Sequence, residues 1–385
     1  MPRLKSILSL PDFERAAKRH LPRPIFGYVS GGAEEEQSLR ANRSAFEALG
    51  FVTRPLRDTS ARTQEVELFG TRYASPFGVA PMGLAALSGY RGDLAIARAA
   101  ARQKIPAVMS GFSLIPMEDV ARENPGMWFQ AYLPGDLAQI DQMLARVARA
   151  GFQTLMVTVD VSVPANRENN QRAGFSAPLR PSLRLAWDGI VRPKWLCGTF
   201  LKTIVRHGMP TFPNAQEGRG PSLISSKVGR DSARRDTFSW DHLAYIRRHW
   251  KGNLVLKGIL HPEDALMAKE VGCDAVVLSN HGGRQLDGAV PALQMLQATV
   301  DAVGSDFPVL IDGGFRRGSD VLKALALGAR MVLVGRPFNY AVSIAGEAGV
   351  EHAFSILRAE VDRNLALLGA TACTELSPQH LLALR

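Results

Sequence analysis

Eight short apolar runs, most of them separated by segments of helical periodicity, constrain the fold of this 385-residue chain more than any other feature. Runs of this length are typical of parallel β-strands, because helices packed on both faces of a parallel sheet leave its strands fully buried. Eight such strands in alternation with helices predict an α/β fold, a closed (β/α)8 TIM barrel. The predicted strands are residues 77–82, 105–111, 128–133, 154–160, 254–259, 275–280, 308–314 and 331–336.

The helical segments complete the predicted organisation of the chain. They lie at residues 92–103, 136–150, 241–250, 262–271, 291–303, 319–327 and 350–368. Pro262, followed by two acids, is typical of a helix start, and Gly272 and Gly328 lie where helices should end. We expect one domain, 1–385, with an N-terminal helical segment at 1–76, the barrel at 77–385 and a long insertion after the fourth strand at 172–235.

Polar and reactive side chains follow the ends of the predicted strands. In a TIM barrel these ends meet on one rim, which carries the active site. Glycines with an arginine after strands seven and eight predict a phosphate site, since backbone N–H groups and a guanidinium together bind a phosphate dianion. The rim positions are Met82, Gly83, Ser110, Gln130, Tyr132, Thr158, Asp160, Lys257, Ser279, His281, Asp312, Gly313, Gly314, Gly335 and Arg336.

The loop after the sixth strand, residues 279–287 (SNHGGRQLD), carries the strongest catalytic signal. His281 can transfer a proton near neutral pH, and the planar guanidinium of Arg284 suits a carboxylate. Glycines 282 and 283 let the backbone approach a ligand closely. This combination indicates a site rather than a solvated turn.

Composition excludes several classes of protein. Cys197, Cys273 and Cys373 are far apart and form no metal-binding spacing, so we expect no metal site and a reducing, cytoplasmic environment. The first residues meet acids too soon for a signal peptide, and no run of about 18 apolar residues exists that could span a bilayer.

Several motifs together resemble the FMN-dependent α-hydroxy-acid oxidising enzymes, the family of glycolate oxidase, lactate oxidase, L-lactate dehydrogenase and mandelate dehydrogenase. The motifs are GYVSGGAEEE (27–36), SNHGGRQLD (279–287), IDGGFRRG (311–318), KALALGA (323–329) and VGRP (334–337). Gly83, WFQAYL (128–133) and RHGMP (206–210) are most similar to the branch of mandelate dehydrogenase and membrane-associated lactate dehydrogenase. The resemblance implies FMN as the cofactor and a small 2-hydroxy acid as the substrate.

The resemblance also implies roles for individual residues. His281 corresponds to the base that takes a proton from the substrate, and Asp160 to the carboxylate that stabilises its imidazolium. The catalytic residue Tyr132, with Tyr28, Arg167 and Arg284, would orient the substrate's hydroxyl and carboxylate. Read without the resemblance, Asp160 could instead cap a helix, and the two tyrosines could be packing aromatics.

The implied FMN-binding residues come from nearly every rim loop. Lys257 corresponds to the cation that stabilises negative charge on the reduced flavin, near N1 and O2. Asp312 is expected to bind the ribityl hydroxyls, and the glycines and arginines after the last two strands the phosphate. The full set is Pro81, Met82, Gly83, Ser110, Gln130, Thr158, Lys257, Ser279, Asp312, Gly313, Gly314, Arg316, Gly335 and Arg336.

One departure from the family pattern concerns the first rim loop. Many members carry Pro-Thr-Ala where this chain has Pro81-Met82-Gly83. The missing methyl opens space beside the flavin, so reactivity with oxygen cannot be inferred from the oxidases. Phe112 and Leu84 are expected to shape the substrate pocket, but the preferred hydroxy acid cannot be deduced from them.

The insertion is the second unusual feature. Residues 172–207 contain seven Lys or Arg against the single acid Asp188, a net charge of +6 in a chain of net +10. Tryptophans and aliphatic residues alternate with these charges, which is typical of a segment that lies on an anionic membrane surface. The alternative is a lid that packs the same apolar groups over the active site. No nucleic-acid-binding signature accompanies the charge.

Two hypotheses of different class follow. The first is an enzyme that oxidises an L-2-hydroxy acid, lactate- or mandelate-like, to the 2-oxo acid and passes electrons to a quinone or another membrane-linked acceptor. We expect it to be peripheral on the inner face of the membrane and homo-oligomeric, as a tetramer; a soluble oxidase that makes hydrogen peroxide is its alternative. The second is a catalytically silent flavin-binding barrel, which the retention of His281 and both arginines disfavours.

Overall fold

The computed structural model describes residues 4–176, 178–214, 218, 220–225 and 235–384. Eight parallel strands form one sheet in which sequence neighbours lie side by side, and a parallel bridge between Val79 and Ala107 joins the first strand to the second. The sheet is therefore closed, and the predicted TIM barrel is confirmed. Its strands are β4 (Phe77–Val79), β5 (Val108–Ser110), β6 (Trp128–Ala131), β7 (Thr154–Thr158), β8 (Asn253–Ile259), β9 (Ala275–Leu278), β10 (Val309–Asp312) and β11 (Met331–Val334).

Helices follow the strands and cover the outside of the barrel. The start predicted at Pro262 and the stop at Gly272 are both observed: His261 caps the N-terminus, and Gly272 takes the left-handed conformation at φ +92°. The helix predicted at 350–368 is the second half of a longer helix that is interrupted at Ala345 and Gly346. The outer helices are α4 (Ala85–Ser88), α5 (Gly92–Gln103), α6 (Met117–Glu123), α7 (Leu137–Arg149), α12 (Trp240–His249), α13 (Pro262–Val271), α14 (Ala292–Val303), α15 (Gly318–Ala326) and α16 (Arg336–Leu368).

A short hairpin fills the amino end of the barrel. Strands β2 (Val66–Leu68) and β3 (Thr71–Tyr73) pair antiparallel, and their buried side chains join the cluster of inward-facing barrel residues. The N-terminal segment, expected to be helices and turns, therefore also contains strands, including β1 (Leu49–Phe51), which pairs with the C-terminal β12 (Leu381–Ala383). The charged residues at the centres of β2 and β3, Glu67 and Arg72, interrupt the apolar run that would mark a buried strand in the sequence.

The N-terminal helices lie against the barrel and bring the backbone around Val29 and Gly31 next to the rim that carries the site. They are α1 (Leu10–His20), which packs on α16, α2 (Arg23–Ser30) and α3 (Gln37–Glu47). On α3, Asn42 exchanges two side-chain hydrogen bonds with Asn280, at 2.8 and 2.9 Å. The carbonyls of Val29 and Gly31 accept hydrogen bonds from Arg284 and Arg336. The N-terminal segment thus forms one wall of the site.

The insertion follows β7 and is mainly helical where it is described; residues 177, 215–217, 219 and 226–234 of it lie outside the described residues. The helix α8 (Glu168–Ala173) leads into it. It contains α9 (Leu183–Ile190) and a continuous run of α10 (Pro193–Trp195), a π-helical turn (Leu196–Leu201) and α11 (Lys202–His207). The buried Trp195 anchors this run, since its indole N–H donates to the carbonyl of Leu87 at 2.7 Å.

The insertion also turns apolar side chains outward. Leu183 is 92% exposed, Trp187 65% and Val205 84%. Leu183, Trp187 and the exposed Ile190 are spaced four and three residues apart, so they lie on one face of α9. Within the described part of the chain, no helix combines the length and the apolar character that crossing a bilayer requires.

Candidate active site

A cavity of about 870 Å³ opens at the carboxyl end of the barrel, within the usual size range of ligand sites. All of the predicted site residues line it except Gln130, Asp160 and Ser279. These three lie directly behind the lining: Gln130 accepts a hydrogen bond from Ser110, and the other two accept hydrogen bonds from His281. The structure therefore brings the predicted positions together, from residue 28 to residue 336.

The centre of the cavity wall is a histidine–carboxylate pair. The loop after β9 holds His281 at φ +58°, and its backbone N–H donates to the hydroxyl of Ser279 at 2.9 Å. Its Nδ1 lies 2.8 Å from Oδ1 of Asp160. Donation of the Nδ1 proton to that carboxylate leaves Nε2 as the basic nitrogen.

Electrostatics keep this pair in the protonation states that a base requires. Burial lowers the pKa of His281, and the attraction of Asp160 only partly opposes this, so the ring is neutral at neutral pH. Burial by itself raises the pKa of Asp160, but the nearby His281 and Lys257 outweigh it and hold that pKa below its usual value. A neutral imidazole beside an ionised carboxylate can accept a proton and have the resulting charge stabilised.

Lys257 places a positive charge on the floor of the cavity. Its buried Nζ donates to the hydroxyl of Ser279 at 2.7 Å and lies 2.9 Å from Oδ2 of Asp312. Burial lowers the pKa of this lysine, but the carboxylates of Asp312 and Asp160 outweigh burial and raise it. The amine therefore remains charged without a bound ligand.

Three arginines gather around the loop after β9, which also carries His281, without an acid between them. Arg284 donates to the carbonyl of Gly31 at 2.6 Å, Arg167 to the carbonyl of Arg284 at 2.9 Å, and Arg336 to that of Gly282 at 3.0 Å. No carboxylate of the described residues forms an ion pair with any of the three. Burial, together with the neighbouring arginines, lowers the pKa of Arg284 to about 9, and burial lowers the pKa of Arg336 to about 10. Uncompensated buried cations predict an anionic ligand.

Two tyrosines complete the substrate side of the cavity. The guanidinium carbon of Arg284 lies 5.1 Å from the ring centroid of Tyr28. The ring of Tyr132 lies 6.4 Å from the ring of His281 and 5.0 Å from that of Phe112. Burial and the charge of Asp160 raise the pKa of Tyr132, so its hydroxyl stays protonated and can donate a hydrogen bond.

Buried polar atoms beside the cavity fit the ring and ribityl chain of FMN. Nε2 of Gln130, Oγ1 of Thr158 and Oδ1 of Asp312 are buried and have no hydrogen-bond partner among the described residues. Such atoms are rare in native proteins and indicate a bound group. An amide donor suits a flavin carbonyl, and a carboxylate oxygen suits a ribityl hydroxyl.

The last two rim loops form a cradle that fits a phosphate. Gly313 and Gly314 have φ of +100° and +84°, and a Cβ on Gly314 would collide with the backbone carbonyl of Asn42. Only glycine fits here, and the open backbone can approach a ligand closely. Arg316 and Arg336 line the cavity on either side of this cradle.

Arg235, at the end of the insertion, was not predicted. Its guanidinium carbon lies 5.1 Å from the ring centroid of Tyr132 and 5.4 Å from that of Phe112, and it lines the cavity. No local pattern distinguishes this arginine from the many other basic residues of the insertion, so no signal in the sequence could have found it.

Comparison with known proteins decides the family. The profile of the FMN-dependent dehydrogenase family matches residues 17–383. The chain belongs to this family. It is 38% identical over 379 residues to (S)-mandelate dehydrogenase of Pseudomonas putida, covering 98% of this chain and 94% of that one. It is also 38% identical over 376 residues to L-lactate dehydrogenase of Pectobacterium atrosepticum, covering 96% of each.

A solved structure gives the same result. The crystal structure described as that of the monotopic membrane protein (S)-mandelate dehydrogenase superposes with a TM-score of 0.89 at 37% identity, covering 98% of this chain and 99% of that one. The predicted family, the FMN cofactor and the class of flavin-dependent dehydrogenase are therefore confirmed.

Proposed function

We propose that this protein oxidises an (S)-2-hydroxy acid, with a lactate- or mandelate-like side chain, to the 2-oxo acid and passes the electrons to a quinone. The observation that carries the proposal is the shared cavity: the His281–Asp160 pair faces arginines that lack acidic partners among the described residues. A carboxylate held by those arginines leaves the adjacent hydroxyl of the substrate within reach of a base. The names of the two relatives support both candidate substrates.

The substrate's orientation is assigned to the arginines and tyrosines. Arg284 and Arg167 bind the carboxylate, since a guanidinium presents two parallel donors to it. Tyr28 and Tyr132 supply hydroxyls that fix the remaining oxygens. Holding the reacting groups in one geometry lowers the barrier by avoiding the entropy loss of a free encounter.

Proton transfer is assigned to His281. Its Nε2 takes the hydroxyl proton of the substrate while the ionised Asp160, 2.8 Å from Nδ1, stabilises the imidazolium. Bound FMN would supply the two-electron acceptor, at its N5, for the hydride equivalent that leaves the substrate carbon. Lys257, whose buried ammonium lines the cavity, would stabilise negative charge on the reduced ring.

The quinone and the membrane belong to the same proposal. The insertion presents Leu183, Trp187 and Val205 to solvent beside the exposed cations Arg184 and Arg206. Apolar side chains inserted at the headgroup level and cations near anionic lipids, at about 1 kcal/mol each, give reversible attachment. An enzyme attached in this way has access to a lipid-soluble acceptor. The solved mandelate dehydrogenase is described as a monotopic membrane protein, which supports this proposal.

Anaerobic stopped-flow absorbance tests the reaction. We expect 2-hydroxy acids to bleach the flavin in the wild type and His281→Gln to keep FMN but reduce it at least ~10²-fold more slowly, as for loss of a general base. His249→Gln, at an exposed histidine, is the matched control. Normal reduction in His281→Gln would remove the histidine from the mechanism.

Reoxidation tests the acceptor. We expect a quinone to reoxidise the substrate-reduced enzyme rapidly and oxygen to do so slowly. Rapid reoxidation by oxygen with hydrogen peroxide as product, and no effect of quinone, would establish the soluble oxidase instead.

Vesicle sedimentation tests the membrane surface. Wild-type protein should bind phosphatidylglycerol vesicles at low salt and dissociate as salt screens the charges beyond a Debye length of about 8 Å at physiological ionic strength. Leu183→Ser combined with Trp187→Ser should weaken binding, whereas Leu367→Ser, at a leucine that is 64% exposed on α16, should not. If the double variant binds the vesicles as tightly as the wild type does, the result would favour the insertion as a lid.

A further inference from the structure

A second cavity, of about 720 Å³, lies outside the barrel rim between the insertion and the barrel. The helical run Pro193–His207 forms one side, and α4, α6 and α7 form the other. Its size falls within the range of sites for drug-sized ligands. None of the residues predicted from the sequence to bind substrate or FMN lines it.

The walls of the second cavity are largely apolar and fixed in place. Leu87, Leu114 and Trp195 line it, with Phe200 stacked on Trp195 at a ring-centroid distance of 5.7 Å. The hydrogen bond from the indole of Trp195 to the carbonyl of Leu87, at 2.7 Å, ties the insertion to α4. Aromatic side chains that line a cavity in this way can pack against a planar ring of a ligand.

One end of the cavity is polar. Nε2 of His207 lies 2.9 Å from the hydroxyl of Tyr90, and a guanidinium nitrogen of Arg91 lies 3.3 Å from the same ring. Burial and the charge of Arg91 lower the pKa of His207, so the ring is neutral at neutral pH. The guanidinium of Arg91, which lines this end, can donate a hydrogen bond to a neutral carbonyl oxygen.

The charges argue against an anionic ligand here. Three arginines line the cavity, and two of them pair with acids that also line it: Arg91 with Asp119 at 3.2 Å and Arg146 with Glu118 at 2.8 Å; Arg149 is the third. In the first cavity, by contrast, Arg284 has no acidic partner among the described residues. A ligand for the second cavity should therefore be uncharged, apolar over most of its surface and equipped with hydrogen-bond acceptors.

The two cavities share a wall. Leu84, the residue before α4, lines the first cavity, and Leu87 on α4 lines the second. After β5, Phe112 faces the first and Leu114 the second. In the insertion, Phe212 lines the first cavity. Its chain neighbours 211 and 213 line the second. At each of these three places, residues one to three positions apart in the sequence line different cavities, so the same short segments separate the two.

We propose that the second cavity is the binding site for the quinone that reoxidises the enzyme. The inference rests on the proposed function, which names a quinone as acceptor, and adds where its ring binds. Reduction to the quinol takes two electrons and two protons: the electrons come from the flavin reduced by the hydroxy acid, and water supplies the protons. The two protons released by oxidation of the hydroxy acid return to water, so the exchange balances.

The location also accounts for delivery from a membrane. The helical run that lines the cavity carries the exposed Leu201 and Val205, and the preceding helix α9 carries the exposed Leu183, Trp187 and Ile190. A quinone tail can lie along this surface in the bilayer while its ring enters between Phe200 and the polar end. The hydroxy acid and the quinone then bind in separate cavities, so neither has to leave before the other can bind.

The test uses an obstructing substitution and a matched control on the same helical run. Thr203 lines the second cavity, whereas a Cβ added at the exposed Gly198 meets no atom within 4 Å. Thr203→Phe should therefore obstruct the cavity and Gly198→Phe should not. Each holoenzyme is reduced anaerobically with hydroxy acid, mixed with decylubiquinone, and followed by flavin absorbance; the reductive step reports on correct folding.

We expect Thr203→Phe to slow reoxidation by decylubiquinone at least ~10-fold while ferricyanide reoxidises both variants as it does the wild type. Decylubiquinone should also quench wild-type tryptophan fluorescence saturably, and Trp195→Phe should remove the saturable part. Equal quinone rates in Thr203→Phe and wild type, or competition between hydroxy acid and quinone, would place the quinone elsewhere. If decylubiquinone does not reoxidise wild type at all, the proposed acceptor itself fails, which is a distinguishable result.

Discussion

Replacing Asp160 by asparagine should slow reduction of the flavin by substrate without removing FMN. The asparagine oxygen can still accept the Nδ1–H of His281, so the ring keeps its orientation, but the negative charge is lost. The wild-type separation of 2.8 Å is typical of a charge-assisted hydrogen bond. Asp160→Asn therefore isolates the electrostatic contribution to proton transfer.

The magnitude follows from the strength of that bond. A hydrogen bond to a charged group contributes about 1.5–3 kcal/mol. Because about 1.36 kcal/mol of barrier is tenfold in rate, the rate constant for flavin reduction should fall roughly 10- to 150-fold. The attraction of Asp160 raises the pKa of His281 against the larger effect of burial, so its removal should lower that pKa further.

The pH dependence gives a second, independent readout. In the wild type, kcat/KM should fall as pH decreases through the pKa of His281, which lies below its ordinary value of 6.5. In Asp160→Asn the plateau should be lower and the fall should move to more acidic pH. The assay is anaerobic stopped-flow reduction from pH 5 to 8, with Asp301→Asn, at an exposed carboxylate, as control. If Asp160→Asn has the same plateau value of kcat/KM and the same pH profile as the wild type, the role assigned to Asp160 in stabilising the imidazolium of His281 would be refuted.

Three further predictions concern other parts of the molecule. Arg284→Lys should bind 2-hydroxy acids at least ~10-fold more weakly, because a point charge cannot replace a bidentate guanidinium; unchanged KM would make Arg284 a bystander. Arg235→Met should raise KM by roughly 3- to 10-fold, because removing a cation that lines the cavity removes about 1 kcal/mol of attraction for the substrate anion, and equal KM would place it outside the substrate site. Burial raises the pKa of Asp93 to about 6 from 3.8, so its contribution to stability is full below pH 3.8 and is lost as pH rises through 6. Asp93→Asn should therefore gain stability relative to wild type across that window, by up to about 3 kcal/mol, which denaturant unfolding at pH 4 and 7.5 would show; a constant difference between the two proteins would contradict it.

Much of the fold could be predicted because its signals are local. A buried parallel strand needs a few consecutive apolar residues, and the helix α13 begins at Pro262 and ends before Gly272 for reasons contained in its own sequence. The (β/α)8 order then requires the strand ends to share one rim, so it predicts that residues as distant in the sequence as Ser110 and Arg336 lie together. The strands β2 and β3 give no such signal, because each has a charged residue at its centre, Glu67 or Arg72, and so forms no apolar run.

Only the tertiary structure determined which backbone and side-chain groups enclose the site, and which residues of the insertion face the barrel or the solvent. The sequence did not show that the carbonyls of Val29 and Gly31 would bind the arginines, or that Arg235 would reach Tyr132. These contacts join segments separated by tens to hundreds of residues, and such distances depend on barrel closure and on helix packing. The same is true of the insertion, where composition indicated charge and apolarity, but packing alone determined that Trp195 faces the barrel and Trp187 the solvent.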